Sequence, residues 1–437
     1  MLRKRLQLSL LHLAVAMTLV PINSTLNRVM IKELALSATL VAVLASFPYI
    51  FSPIQVWIGS FSDRHPILGW RRSPYILFGL LLCVLGVVIA PWVVFLMPQN
   101  YALGLILSLA TFGAWGMGFD FASVSYLALA SELSGEKKRT GTVSLMWFIM
   151  ILGIIVTAAS LSGMLREYSP ALLRQAFEIV GAAALGLGLI GLIGLEPRTT
   201  GHSATASLPR RSSWTEMLAA VTASPETRRF FIYLILLLAA ILGQDVLLEP
   251  YAAEAFQLTV QATTRITSIW GGCVLAALLF AGVLERWFNK RAIAQASAWT
   301  ALTGFLIIAA GGILGLKQVF YGGVMLLGFG TGLSTVANLS LMLDMTTDRV
   351  GLFIGAWGVA DALARLTGTL MSGVVRDSVT LLAGGKITGY VTVFFLEAGM
   401  LLVSIYLLRR IDVNRFQQQN QRYSLADRAA WMNDAGS

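Results

Sequence analysis

Long apolar runs recur along the chain, separated by short polar segments. A bilayer core about 30 Å thick takes roughly 20 apolar residues wound as a helix, which satisfies its own backbone hydrogen bonds where water is absent. Such runs are expected near Leu6 to Asn27, Leu36 to Ile58, Tyr75 to Met97, Tyr101 to Ala130, Gly141 to Met164 and Leu172 to Leu195. A second set lies near Phe230 to Tyr251, Ile266 to Leu284, Ala292 to Leu314, Val319 to Leu343, Gly351 to Val375 and Tyr390 to Leu408. The pattern predicts an all-α polytopic membrane protein with twelve transmembrane helices. The polar stretch Glu196 to Glu226, rich in Ser, Thr, Arg and Pro, divides the spans six and six and reads as a linker. The expected organisation is an N-terminal bundle over 1–195, a cytoplasmic linker over 196–227, a C-terminal bundle over 228–410 and a polar cytoplasmic tail over 411–437.

Composition agrees: 57% of the 437 residues are hydrophobic and 12% charged, too apolar for a water-soluble fold. The net charge of +10 would suit a nucleic-acid partner if it formed one patch, but the basic residues fall in short clusters between apolar runs. About 23 of the 32 lie on the side of the N-terminus, the excess that marks a cytoplasmic face, so both termini are expected there. Cys83 and Cys273 sit inside apolar runs and read as packing residues. Arg3, Lys4 and Arg5 before Leu6 to Val20 resemble the start of a signal peptide, yet cleavage at Ala14 to Ala16 would leave a short apolar region and discard half of a span, so retention is expected.

The halves echo each other. Gly118 through Arg139 and Gly141 can be laid over Gly330 through Arg349 and Gly351, and Gly59, Asp63, Arg64, Arg71 and Arg72 over Gly282, Glu285, Arg286, Lys290 and Arg291. The echo pairs corresponding loops, as a parallel repeat requires.

The loop after span two, Gly59-Ser-Phe-Ser-Asp63-Arg64 followed by Gly69-Trp-Arg71-Arg72, resembles the cytoplasmic signature of the major facilitator superfamily, with His65 to Leu68 as extra residues. The resemblance implies two six-helix pseudo-repeats and a charge-relay latch carried by Gly59, Asp63, Arg64, Arg71 and Arg72. Leu26-Asn27-Arg28-Val29-Met30-Ile31 with Glu33-Leu34, and Gly243-Gln244-Asp245-Val246-Leu247-Leu248-Glu249-Pro250-Tyr251, resemble the PucC-type, bacteriochlorophyll-delivery (LhaA-like) branch. That branch is implicated in handling chlorophyll pigments during light-harvesting complex assembly in photosynthetic bacteria. The resemblance therefore implies a bacterial inner, intracytoplasmic or thylakoid membrane, chlorophyll or bacteriochlorophyll as cargo with no tightly bound cofactor, and light-harvesting or photosystem polypeptides as partners.

Ionisable groups within a bilayer are costly and usually face the bundle interior or a wet cavity. Asp245 and Glu249, four apart, are expected on one helical face with Gln244 beside them, and Pro250 to end or kink that helix. They read either as a substrate or proton-coupling site or as a polar helix end in the headgroups. Asp120 reads as cavity lining or as an interhelical hydrogen-bonding group; Asn23, Asn27 and Arg28 end span one, with Arg28 either countering Asp245 or Glu249 or snorkelling outward. Asp361 and Arg365 are expected to pair within one helix. Asn338 takes a place like that of Tyr126 in the repeat overlay, and Glu397 stands alone in span twelve.

His12 reads as a magnesium ligand for a pigment or as a packed polar residue; His65 and His202 fall in loops, and no metal site is expected. No Walker loop, nucleophile elbow or zinc cluster occurs, so an enzyme is disfavoured. A major-facilitator cavity would be lined by spans one, four, seven and ten, with Asn27, Asp120, Gln244, Asp245 and Asn338 as first candidates. Two rivals to the pigment carrier stand: a proton-coupled transporter of a small organic solute, and a non-transporting assembly factor for antenna polypeptides.

Overall fold

Proline and glycine set where these helices break and how closely they approach. The computed structural model describes residues 2–134, 139–198, 221–222, 225–284, 286–344 and 350–411, with backbone alone at 56, 60, 63, 139, 140, 343, 344 and 350–354. Most of the expected linker and nearly all of the tail lie outside the described residues.

Span one is α1 (Leu2–Met17) continued by wide π turns at Pro21–Leu26 and Val29–Glu33, so it runs six residues beyond the expected end at Asn27. Span two is in three pieces, α2 (Ala38–Ala45), α3 (Phe47–Ile50) and α4 (Ile54–Arg64). Pro48 enters the first turn of α3 and Pro53 caps α4, each where a proline's missing N–H costs little but an uninterrupted helix cannot pass. Spans three to six are α5 (Ser73–Leu96), α6 (Tyr101–Ser134), α7 (Arg139–Met164) and α8 (Pro170–Leu192).

Span seven is α9 (Pro225–Gly243), a 3-10 turn at Gln244–Val246, and α10 (Leu248–Phe256). The break falls one turn before Pro250, whose ring obstructs the Val246 carbonyl of a continuous helix, so the expected end or kink lies there and Pro250 itself sits in the first turn of α10. The chain continues through α11 (Val260–Leu284), α12 (Lys290–Leu314), α13 (Lys317–Asp344), α14 (Val350–Ala383) and α15 (Lys386–Arg409).

Ten of these described helical stretches are long and apolar enough to cross a membrane. The interrupted span two and the charge-bearing α14 complete twelve. Large apolar side chains such as Leu85, Ile106 and Leu279 point outward, as in a protein whose solvent is lipid. Among the described residues no strand forms; Ile67 and Trp70 make one isolated antiparallel bridge.

The two pseudo-repeats use the same close contacts. In α5–α6, a Cβ on Gly118 would meet the Gly79 carbonyl at 2.7 Å and the Cys83 nitrogen at 2.8 Å. In α12–α13, a Cβ on Gly330 would meet the Ala301 nitrogen at 2.7 Å, so the glycines paired in the sequence overlay occupy equivalent helix contacts. Gly328 and Gly332 likewise press α13 onto α11, at the carbonyls of Trp270 and Val274. The halves meet through α2 against α14 and α7 against α11.

Candidate functional site

The two helix discontinuities face each other: the π turn at Pro21–Leu26 packs against the 3-10 turn at Gln244–Val246. Such breaks in spanning helices turn backbone and short polar side chains inward, and they concentrate at functional sites. The break also separates the two acids of span seven. Asp245 accepts from Gln244 Nε2 at 2.7 Å and faces Arg365 of α14 at 3.8 Å. Glu249, after the break, turns to Ser24 of the π turn and to Thr267 of α11 at 2.6 Å. The expected shared face is therefore corrected: an intervening 3-10 turn changes the angle per residue, and the two carboxyls serve different neighbours.

Arg365 Nε donates to Asp361 Oδ2 at 3.0 Å, as the i to i+4 spacing predicts, and its guanidinium also lies 5.6 Å from the centre of the Tyr49 ring on α3. Side-chain accessibility of 34% for Asp245, 34% for Asp361 and 29% for Arg365 is high for charged groups in mid-span. Tyr49, from the first half, covers Arg365, so this access opens to the interior between the halves; lipid contact would be costly. Asp361 and Arg365, expected to serve structure alone, thus join Asp245 in a polar group of the second half that Tyr49 of the first half covers.

Asp120 is fully buried and accepts from Gln55 Nε2 at 2.5 Å, a partner from the broken span two that nothing in the spacing marked. Asn338 is saturated: Tyr233 donates to its Oδ1 at 2.5 Å and its Nδ2 donates to the Ser334 carbonyl at 2.8 Å. Asn27 Nδ2 donates to the Asn23 carbonyl at 2.9 Å, and among the described residues Asn23 Oδ1, Asn27 Oδ1 and Gln244 Oε1 are buried without a hydrogen-bond partner. Glu397 finds Ser372 Oγ at 3.1 Å beside the break at Gly243. His12 is buried against Met150, between Tyr126 and Trp147 at 5.2 and 5.8 Å between ring centres. Among the described residues no group of three His, Cys, Asp or Glu side chains could hold a metal ion.

Arg28 does not snorkel, and it hydrogen-bonds neither Asp245 nor Glu249, although it lies near enough to act on Glu249 electrostatically. It is 3% exposed, paired with Glu33 at 2.5 Å and donating to the Leu258 carbonyl at 3.2 Å. Glu33, which follows within the second π turn, lies close enough to capture it. Nearby, Tyr168 in the loop after α7 has its phenol pushed up to about 12 by burial, with Glu33 adding and Arg28 opposing. Glu254 pairs with Lys32 at 3.7 Å and Lys386 at 3.4 Å, and Asp377 of α14 accepts from the nitrogens of Ala38 and Thr39 at 3.1 and 2.7 Å. These links gather at the face opposite the termini and tie the two halves there.

On the face of the termini, Arg72 Nη1 donates to Ser62 Oγ at 2.7 Å and Nη2 to Glu132 at 3.1 Å, while Arg71 reaches Glu132 at 3.8 Å. Glu196 accepts from the backbone nitrogens of Arg71, Arg72 and Ser73 at 2.7–3.2 Å, capping α5. Gly59 is buried and lends its carbonyl to Arg72 at 3.4 Å; Arg64 is exposed; the Asp63 side chain lies outside the described residues. The extra residues His65 to Leu68 form a tight reversal, with Leu68 and Gly69 at φ 53° and 85° bringing Ile67 N to Trp70 O at 2.9 Å. The reversal absorbs the insertion and keeps both arginines at the helix ends.

The sequence profile of the family described as PUCC protein matches residues 25–416. The chain belongs to this PUCC family. Protein PucC of Cereibacter sphaeroides is 33% identical over 426 residues, covering 93% of this chain and 91% of that protein. A Rhodobacter capsulatus protein named bacteriochlorophyll synthase 44.5 kDa chain is 29% identical over 420 residues, covering 92% and 95%. Among solved structures, the bacterial homologue of the human lysosomal transporter Spinster, inward-facing and unoccupied, superposes with TM-score 0.71 at 12% identity over 94% of this chain and 96% of that one. At that identity the likeness bears on fold: this PUCC-family chain has the major facilitator architecture of twelve helices in two pseudo-repeats.

Proposed function

We propose that this chain is a major-facilitator-type carrier that handles or delivers bacteriochlorophyll-type pigment for light-harvesting complex assembly in a bacterial photosynthetic membrane, with both termini cytoplasmic. The observation that carries this reading is the match along nearly the whole chain to relatives named for PucC and for a bacteriochlorophyll synthase chain. The polar interior supports a carrier over an enzyme. What supports this is that Asp245, Asp361 and Arg365 keep accessible side-chain surface, and that Asn23, Asn27, Gln244 and Asp120 each carry a buried polar atom with no hydrogen-bond partner among the described residues. These residues and Glu249 are the proposed cavity; Gly59, Asp63, Arg64, Arg71 and Arg72, with Glu132 and Glu196, are the proposed cytoplasmic latch. The tying of the halves at the face opposite the termini favours access from the cytoplasmic side, where pigment would be taken up.

A strain lacking the chain, complemented by Asp245→Asn or Asp120→Asn, tests the reading. Full-length variant protein with reduced antenna absorbance supports a carrier; normal antenna with both cavity variants points to the outer-surface assembly factor instead.

A further inference from the structure

Glu249, part of the proposed cavity, is held by contacts that pigment handling does not itself explain. It is 3% exposed, with Ser24 Oγ and Thr267 Oγ1 both donating to its Oε1. One residue from Ser24, Thr25 Oγ1 lies 3.2 Å from Thr264 Oγ1, one turn before Thr267 on α11. Three elements meet at this carboxyl: the π turn of span one, the first turn of α10, and α11. The other carboxyl oxygen, Oε2, is buried and accepts no bond from any described group. A carboxylate oxygen buried without a donor is costly, so the fold has a reason to supply a cation there.

Among the described residues no cation bonds Oε2. Arg28 lies near enough to act on Glu249 electrostatically, but it gives Nη1 to Glu33 and Nη2 to the Leu258 carbonyl; Lys32 faces Glu254, and Arg265 on α11 is exposed. The donors at hand are one carboxylate and four hydroxyls, all hard oxygens, with no sulfur or imidazole of the kind that selects transition metals. One negative charge matches one positive charge, whereas calcium is usually met by several carboxylates.

We propose that Ser24, Thr25, Glu249, Thr264 and Thr267 form a sodium site that bridges the two halves. Ser24 and Thr25 belong to the first half and the other three to the second, so a bound ion fastens the same face that Asp377 and Lys32 tie. By linkage, sodium favours the state closed at that face, and opening that face weakens sodium binding. The site does not rest on the identity of the cargo: a colourless protein could bind sodium, and a pigmented one could fail to.

Equilibrium binding of radiolabelled sodium to the purified full chain, at fixed pH and with choline balancing ionic strength, tests it. Saturable binding of one ion per chain is expected, resisted by potassium at equal concentration, abolished in Glu249→Gln and weakened roughly tenfold in Ser24→Ala, the scale of losing one charged hydrogen-bonding partner. If Glu249→Gln does not elute as a single folded species, Ser24→Ala and Thr264→Val carry the comparison. No saturable binding by the folded wild-type chain, or binding unchanged in the variants that fold, overturns the proposal. So does a heat-unfolding midpoint that responds to pH through Glu249 while sodium leaves it unmoved, since the carboxyl would then hold only a proton.

Discussion

Asp377 on α14 caps the N-terminus of α2 from the other half of the molecule, its Oδ2 accepting from both the nitrogen and the hydroxyl of Thr39 at 2.7 Å. A carboxylate satisfies the free donors of a helix start and favours the positive end of its dipole. Asp377→Ala should release α2, costing about 1 kcal/mol, and speed hydrogen exchange over residues 38–45 about fivefold. Unchanged exchange there would mean that the cap does not hold the halves together.

Glu196 makes an equivalent cap within the first half, on α5. Glu196→Ala should lower stability by about 1–2 kcal/mol in detergent unfolding, with Glu196→Gln intermediate because a neutral amide oxygen accepts less strongly. Equal stability of all three proteins would show that the backbone nitrogens find water instead.

Leu68 carries a left-handed backbone at φ 53° and an 81% exposed side chain, so it pays backbone strain without packing in return. Leu68→Gly should raise stability by up to about 1 kcal/mol. A loss of stability would show that the leucine anchors the loop in the membrane surface.

Gly118 and Gly186 should respond oppositely to an added methyl group. Alanine at Gly118 places a Cβ within 2.7 Å of the Gly79 carbonyl and should cost about 1–3 kcal/mol, whereas at Gly186, with nothing within 4 Å, it should gain about 0.5–1 kcal/mol of helix stability. Thermal unfolding of the two variants decides whether α5 and α6 are held at backbone contact.

The spans and the repeat were legible because both rest on patterns along one helix: apolar length, glycine spacing, and basic clusters between runs. The Asp361–Arg365 pair was legible for the same reason. What the chain hid depends on neighbours far apart in sequence. Gln55 against Asp120, Ser24 and Thr267 against Glu249, and Glu196 across the start of α5 are joined only by tertiary packing. Spacing misled at Asp245 and Glu249, since a four-residue interval implies a common face only while the helix is regular, and Gln244–Val246 is a 3-10 turn. The Arg28–Glu33 pair, five residues apart, is brought together by a π turn that polarity alone does not announce.

The central claim is that this interior holds a bacteriochlorophyll-type pigment, and the most direct measurement is the absorption spectrum of the chain purified in mild detergent from a pigment-producing host, beside Asp245→Asn and Asp120→Asn. The account predicts stoichiometric pigment on the wild-type chain and its loss from the two folded variants. A folded, colourless wild-type protein, or equal pigment on all three, would contradict it.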